Sequence, residues 1–227
     1  MLIDMHVRAP VDDGDPGVAA LMTSGAAAGL DGLCLVGDGR VPPMNEAREC
    51  PEADGLALFF GVELAVEKGH LLWIPADPAV FESDEWSGDP EVPESLEDVL
   101  AVADRLGGVL IAVHPYDRSR EPLFRDDIYD INGTDAIQVA NANLSRIPNN
   151  LAIEAAVKMR KSVIGGTGPM RGPGSIGRCC TVFLGDVENQ DDLVKAVQRG
   201  DTWAVEFLDR LDGRSDGRPR NRGRRRR

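Results

Sequence analysis

Short apolar segments that alternate with helical segments restrict the fold of this chain more than any other sequence feature. Residues 33–36, 108–113 and 162–164 are apolar runs too short for helices, and each is followed by glycine or a polar residue. Strands that are apolar on both sides are typical of parallel sheets, because helices cover both faces of such a sheet. The pattern therefore predicts an α/β fold with a largely parallel sheet.

The number of strand–helix units narrows this prediction. Six or seven such units in about 210 residues suit a closed or nearly closed α/β barrel. An open, doubly wound sheet is the alternative, but no Gly-x-Gly-x-x-Gly follows the first strand, which disfavours a dinucleotide-binding sheet. We expect one barrel domain over residues 1–211 and a disordered, Arg-rich tail over residues 212–227.

The charge is distributed unevenly between these two parts. The chain has a formal net charge of −13, and residues 213–227 contain eight Arg and one Asp, which leaves −20 for the rest. An acidic body disfavours non-specific binding of nucleic acid through that body. The tail could contact nucleic acid or an acidic surface of a partner, and a solvated, disordered tail is the simpler interpretation.

Hydrophobicity and cysteine usage indicate the compartment. No apolar run approaches the roughly 20 residues that span a bilayer, and the N-terminus lacks the pattern of a secretory signal. We therefore expect a cytoplasmic protein without a membrane partner. Cys34, Cys50, Cys179 and Cys180 form no C-x-x-C motif, and their surroundings favour packing as reduced thiols over disulfides.

Chemically useful side chains stand at the ends of the predicted strands. His6 ends the first strand, Asp38 follows the second, and Glu63 lies in the apolar run of the third. His114 directly follows a middle strand, and His70 opens the strand that comes after Glu63. Because the C-terminal ends of barrel strands converge on one side, we expect these residues to meet in one pocket.

The first strand carries half of a metal site. In Leu2-Ile3-Asp4-Met5-His6-Val7-Arg8, the side chains of His6 and Arg8 lie two residues apart and therefore on one face. A His-x-His at this place would supply two metal ligands, whereas an arginine stays protonated and supplies none. A guanidinium can instead pair with a carboxylate or a phosphate.

These motifs, in this order, resemble the polymerase and histidinol phosphatase (PHP) superfamily. The resemblance extends from residue 2 to about residue 205. It rests on the ordered motifs Asp4-Met5-His6-Val7-Arg8, Gly37-Asp38-Gly39, Gly61-Val62-Glu63, Gly69-His70, Ala112-Val113-His114-Pro115 and Gly165-Gly166-Thr167-Gly168. Members of this family are distorted (β/α)7 TIM-like barrels that hold two or three Zn, Mn or Fe ions, and most hydrolyse phosphate esters. The resemblance implies the same fold here.

The resemblance also implies which positions could bind metal. Positions that keep a family ligand are His6, Asp38, Glu63, His70 and His114. Positions that have lost one are Arg8, Gly39, Gly168 and Met170, and Gln138 stands where many members have Glu. Because bridged metals need around eight to ten donors, the remaining set predicts either no cofactor or one divalent metal, Zn or Mn, and disfavours a multinuclear cluster.

Two functional hypotheses follow from this partial ligand set. The first is a PHP-like protein that has lost most metal ligands and serves as a ligand-binding or scaffolding pseudoenzyme, with a small phosphorylated ligand or a protein as partner. The second is a one-metal phosphoesterase acting on a small phosphate ester. In the second hypothesis Glu63, His114 and Arg8 act in catalysis, and Arg8, Arg40 and Arg171 bind the phosphate.

Overall fold

The computed structural model describes residues 1–10, 15–83, 86, 95–168 and 173–207. This part of the chain forms a mixed α/β fold around a nine-stranded, nearly closed, barrel-shaped sheet. The predictions for the Arg-rich tail, Met170 and Arg171 fall outside these residues. None of the helices in the described ranges is both long and apolar enough to cross a membrane.

The sheet and its helices alternate along most of the chain. The strands are β1 (Leu2–Arg8), β2 (Gly32–Asp38), β3 (Ala57–Val66), β4 (Gly69–Ile74), β5 (Val109–Val113), β6 (Ala136–Asn141), β7 (Ser162–Gly166), β8 (Cys179–Phe183) and β9 (Thr202–Glu206). The α-helices are α1 (Val18–Ala27), α2 (Met44–Glu49), α3 (Leu96–Leu106), α4 (Arg146–Met159) and α5 (Gln190–Arg199). Short 3-10 helices cover Pro51–Ala53, Pro78–Glu82, Arg125–Asp130 and Pro173–Ser175.

The strand order is β7-β6-β5-β4-β3-β2-β1-β8-β9. β4 and β8 run antiparallel to both of their neighbours, so seven of the nine described strands point in one direction. The predicted largely parallel sheet is confirmed, and β4 and β8 are the antiparallel strands among those described. For β4 the physical reason is the two-residue turn after β3, which is too short for the crossover that a parallel neighbour needs.

Side-chain hydrogen bonds help to bring the two ends of the sheet together. The Thr181 hydroxyl donates to the carbonyl oxygen of Gly165 at 3.0 Å and accepts from its N–H at 2.9 Å. The Thr202 hydroxyl donates to the carbonyl oxygen of Val163 at 2.9 Å. A Cβ atom at Gly165 would lie 2.4 Å from the carbonyl oxygen of Cys180, so only glycine allows this approach.

The strands are buried on both faces, as their apolar sequences predict. Every residue of β4 and β5 is buried, and two clusters of buried apolar side chains lie on opposite faces of β1 to β5. Cys34, Cys179 and Cys180 are buried and form no disulfide within the described residues, in agreement with the predicted packing role. Burial raises the pKa of the Cys34 and Cys179 thiols, which keeps them protonated.

The sequence of residues 121–131 by itself predicts a helix, and this prediction is wrong, because the structure has only the 3-10 helix Arg125–Asp130 there. Pro122 lacks a backbone N–H, and Arg125 adopts a positive φ of 48°, so an α-helix cannot run through the segment. The Phe124 ring packs directly against Gly69, where a Cβ atom would lie 2.4 Å from the ring. The segment therefore follows a non-helical path in which the Phe124 ring is buried against Gly69.

Asp4 connects β1 to the segments that follow β7. Its fully buried carboxylate accepts hydrogen bonds from the backbone N–H groups of Thr167 (2.8 Å), Gly177 (3.0 Å) and His6 (3.3 Å), and from the Thr167 hydroxyl. Burial raises the pKa of Asp4, although these hydrogen bonds act in the opposite direction. Asp4 therefore holds the loop after β7 against the end of β1 that carries His6.

We predict that Asp4→Ala lowers the free energy of unfolding by about 3 kcal/mol or more, because the buried N–H groups of Thr167, Gly177 and His6 lose a carboxylate acceptor. Asp4→Asn should cost less, since its amide oxygen still accepts. Urea unfolding measures both changes. Asp31→Ala is the matched control, because the Asp31 carboxylate accepts the Leu2 N–H in an exposed position and should contribute less than about 1 kcal/mol. Equal losses for Asp4→Ala and Asp31→Ala would contradict the prediction.

Candidate functional site

Three side chains from the ends of different strands form one buried group around the Glu63 carboxylate. Oε2 of Glu63 on β3 lies 2.9 Å from Nε2 of His6 on β1, and Oε1 lies 3.1 Å from Nε2 of His114, which follows β5. All three residues are buried, and their potential metal-binding atoms lie within 4.8 Å of one another. We call this set the His–Glu–His group.

The sheet topology explains why these residues meet. β1, β2 and β3 are parallel neighbours, and the register places Asp38 of β2 directly beside Glu63 of β3. His114 has a positive φ of 34°, which turns the chain sharply at the end of β5. Such a conformation is uncommon outside glycine and needs support from its surroundings. The His114 N–H donates to the Gln138 side-chain oxygen at 3.1 Å, which supplies part of that support.

Arg120 is a member of the site that the sequence analysis missed. Its Nη2 atom lies 3.2 Å from Oε1 of Glu63. Asp117 shapes the loop before it, because its carboxylate accepts the N–H and the hydroxyl of Ser119 while its own N–H donates to the His114 carbonyl. In the sequence, Arg120 resembles the nearby Arg118, and only its position shortly after a strand-end histidine could have indicated a role.

Electrostatics favour an ionised Glu63. Burial alone would raise its pKa, but the charge and hydrogen bond of His114 and the hydrogen bond of His6 outweigh burial and hold the pKa of Glu63 well below its usual range. The Arg120 guanidinium adds a positive charge at the same carboxylate. Glu63 is therefore an anion whose partners are already present within the protein.

Asp38 and Arg8 form a separate ion pair at the rim of the site. Nη2 of Arg8 lies 2.5 Å from Oδ2 of Asp38, and each side chain is about one-third exposed, at 35% and 37%. The Asp38 carboxylate is thus bound to a guanidinium instead of joining the His–Glu–His group. Two carboxylates, Glu63 and Asp38, and two guanidinium groups, Arg8 and Arg120, balance in formal charge.

His70 lies beside His114 and outside the His–Glu–His group. The two ring centroids are 5.2 Å apart. Because β4 runs antiparallel to β3 and β5, its first residues lie at the same edge as the last residues of both neighbours. Burial, partly opposed by the charge of Glu63, lowers the pKa of His70 to about 4, so its imidazole is neutral near pH 7.

The predicted site residues therefore divide into those that meet and those that do not. Of the five predicted metal ligands, His6, Glu63 and His114 converge, while His70 and Asp38 lie beside them with other partners. Arg8 lies at the rim, and Arg40 is exposed at the turn after β2. Arg171 lies outside the described residues. The catalytic, metal-binding and substrate-binding roles of these residues stay predictions.

Two positions without the expected ligands have backbone conformations that favour glycine. Gly39 has a φ of 65° and Gly168 a φ of 77°. A Cβ atom at Gly168 would also lie 2.4 Å from Nδ2 of Asn141. A His or Asp at these positions would strain the backbone, and at Gly168 it would also clash with Asn141.

A cleft of about 810 Å³ is lined in part by Asp117, Arg118 and Ser119, the residues that directly precede Arg120 in the chain. Its walls come from the loop after β5, including Arg118 and Arg125, and from the start of α4, including Ile147 and Leu151. The cleft therefore combines an apolar wall with two cationic groups and two carboxylates, those of Asp117 and Asp126.

Comparisons with known proteins show that other solved structures share this fold. No family model and no curated protein matches the sequence. Among solved structures, PsfC from Pseudomonas syringae matches with a TM-score of 0.72 and 18% identity over 93% of each chain. A proposed metal-dependent phosphoesterase from Bifidobacterium adolescentis matches with a TM-score of 0.59 and 19% identity, over 87% of this chain and 96% of that chain.

A third similar structure is an amidohydrolase from Chromobacterium violaceum, solved with bound sulfate and no metal. It matches with a TM-score of 0.60 and 18% identity, over 77% of this chain and 89% of that chain. Identities this low establish the fold alone. This chain therefore has a barrel-like α/β fold that it shares with a proposed metal-dependent phosphoesterase and with an amidohydrolase.

Proposed function

We propose that this chain is a PHP-type protein, built on a distorted (β/α)7 barrel, that lacks multinuclear metal catalysis and binds a small phosphorylated ligand at the strand-end pocket. The observation that carries the proposal is the state of Glu63. Its two carboxylate oxygens already contact two imidazoles and one guanidinium. A carboxylate that bridges metal ions must instead present its oxygens to those ions.

The charges around Glu63 favour an anionic ligand over a metal cluster. Arg120 lies against the same carboxylate oxygen as His114, so a divalent cation there would meet a fixed positive charge. The ligand positions replaced by Gly39 and Gly168 cannot regain a side chain without strain. The donors that remain suit at most one metal ion.

Two buried guanidinium nitrogens point to a ligand with oxygen acceptors. Among the described residues, three guanidinium nitrogens are buried without a hydrogen-bond partner: Nε of Arg8 and Nη1 of Arg120, which belong to the site, and Nε of Arg178, whose Nη2 pairs with Glu206. Guanidinium groups bind phosphate oxygens through short, charge-assisted hydrogen bonds. The amidohydrolase of similar fold from Chromobacterium violaceum holds sulfate and no metal, so a protein of this fold can be captured with a tetrahedral anion alone.

A one-metal phosphoesterase is the second candidate function. The spacing of the ligand atoms in the His–Glu–His group favours it, because 4.8 Å or less is compatible with one shared ion. In this case His6, Glu63 and His114 would hold a Zn or Mn ion, which would supply Lewis-acid activation of a phosphate oxygen. Arg120 and the hydrogen bond between His6 and Glu63 oppose this arrangement.

Metal content separates the two candidates. We predict that protein purified without chelators contains far less than one Zn, Mn or Fe per chain by elemental analysis, and that it does not hydrolyse a panel of phosphate monoesters and diesters. The reason is that Arg8 and Arg120 already neutralise the Asp38 and Glu63 carboxylates, so no metal ion is needed to balance their charge. Stoichiometric metal together with turnover that Glu63→Gln abolishes would contradict the proposal and support the one-metal phosphoesterase.

Anion binding tests the ligand class directly. We predict that inorganic phosphate binds the wild-type protein, measured by isothermal titration calorimetry at low ionic strength. Arg120→Gln should weaken binding at least about tenfold, because a charge-assisted hydrogen bond is lost. Arg199→Gln is the matched control, since Arg199 is an exposed arginine that pairs with Asp201 at the end of α5, and it should leave binding unchanged. Equal affinities for wild type and Arg120→Gln would contradict the prediction, provided that both unfold at similar temperatures.

A further inference from the structure

A chain of side-chain amides approaches His6 from the side opposite Glu63. Asn141, at the end of β6, accepts the N–H of Asn143 through its side-chain oxygen at 2.9 Å. A backbone N–H can only donate, so this contact identifies the oxygen of the Asn141 amide and directs its nitrogen elsewhere. That nitrogen, Nδ2, lies 3.1 Å from Oε1 of Gln138 and donates to it.

The same reasoning fixes the orientation of the Gln138 amide. Its Oε1 atom accepts from Asn141 and also from the backbone N–H of His114 at 3.1 Å. The Nε2 atom therefore lies on the other side, 3.3 Å from Nδ1 of His6 and 3.5 Å from the carbonyl oxygen of Gly166. Reversing the amide would place its nitrogen against two buried donors, which leaves polar groups without partners.

The orientation of Gln138 determines where His6 carries its proton. An amide nitrogen only donates, so Nδ1 of His6 must accept with its lone pair. A neutral imidazole that accepts at Nδ1 carries its proton on Nε2. Nε2 lies 2.9 Å from a Glu63 carboxylate oxygen and donates to it. In this tautomer Nε2 has no lone pair for a metal ion.

We propose that Gln138 is a positioning residue that holds His6 in the Nε2–H tautomer and thereby keeps divalent metals off the His–Glu–His group. The inference rests on the proposed metal-free function and gives it a structural cause. A histidine that binds metal through one ring nitrogen donates the N–H of the other to a carboxylate or carbonyl oxygen. At Nδ1 of His6 the structure has an N–H donor instead, which is the opposite polarity.

Gln138→Glu reverses this polarity with almost no change in shape. One carboxylate oxygen keeps the hydrogen bonds from His114 and Asn141, and the other can accept from Nδ1–H of His6. The proton of His6 then moves from Nε2 to Nδ1, and Nε2 presents its lone pair to a metal. Gln138→Leu removes the amide without supplying an acceptor. Asn143→Asp adds a negative charge near the site without facing His6.

The experiment measures the tautomer of His6 and the affinity of the protein for zinc. It uses the full-length chain after a chelator has removed any bound metal. Long-range ¹H–¹⁵N NMR spectra of the three histidines, assigned with His6→Gln, show which nitrogen of His6 carries the proton. We expect Nε2–H in the wild type and Nδ1–H in Gln138→Glu. In competition with a chromophoric chelator, Gln138→Glu should bind zinc at least about tenfold more tightly than the wild type. The zinc affinity of Gln138→Leu and of Asn143→Asp should rise much less above that of the wild type.

The outcomes separate this inference from the proposed function. Wild-type protein that is free of metal but carries the His6 proton on Nδ1 refutes the inference and leaves the proposed function standing. Zinc binding by Gln138→Glu no tighter than that of Asn143→Asp refutes the inference as well. Stoichiometric metal with turnover in the wild type refutes the proposed function. If Gln138→Glu fails to fold, the position of the His6 proton in the wild type decides: a proton on Nε2 supports the inference, and a proton on Nδ1 refutes it.

Discussion

The hydrogen bonds of one buried carboxylate are the constraint on which the strand-end site depends. Glu63 is 3% exposed, and a carboxylate at such depth must be compensated or lose its charge. His6 on β1, together with His114 and Arg120 in the loop after β5, provides that compensation. Because the protein itself supplies these partners, the buried charge of Glu63 is compensated by residues of the same chain.

The barrel-like sheet makes this arrangement possible. Parallel pairing of β1, β2 and β3 places the ends of the three strands next to one another, and the antiparallel β4 carries His70 to the same edge. Asp4 and Thr167 fix the segment after β7 against β1, and Gly168 packs directly on Asn141. The polar network of Gln138 and Asn141 thus has little freedom, which is why a single amide can dictate the tautomer of a neighbouring histidine.

Much of the fold was predictable from the sequence, because short apolar runs and helical segments are local patterns. The strands that carry His6, Glu63 and His114 were placed correctly, and so was their convergence at one edge. The directions of β4 and β8 were not, since apolar runs look alike whichever way a strand points. The helix expected over residues 121–131 was wrong because the positive φ of Arg125 interrupts it, and Phe124 packs instead against Gly69, which is distant in sequence. Arg120 and the structural role of Asp4 were missed for the same reason, because both act through partners that are distant in sequence.

The sequence by itself therefore determined the α/β class, the strand-end placement of the histidines and Glu63, and the absence of ligand side chains at Arg8 and Gly39. Those properties depend on residue type and local periodicity, which a sequence states directly. Only the tertiary structure decided that Arg8 pairs with Asp38, that Arg120 binds Glu63, and that Gln138 presents a donor to His6. These are questions of distance and hydrogen-bond direction between residues far apart in the chain, and only the folded sheet brings such residues within reach of one another.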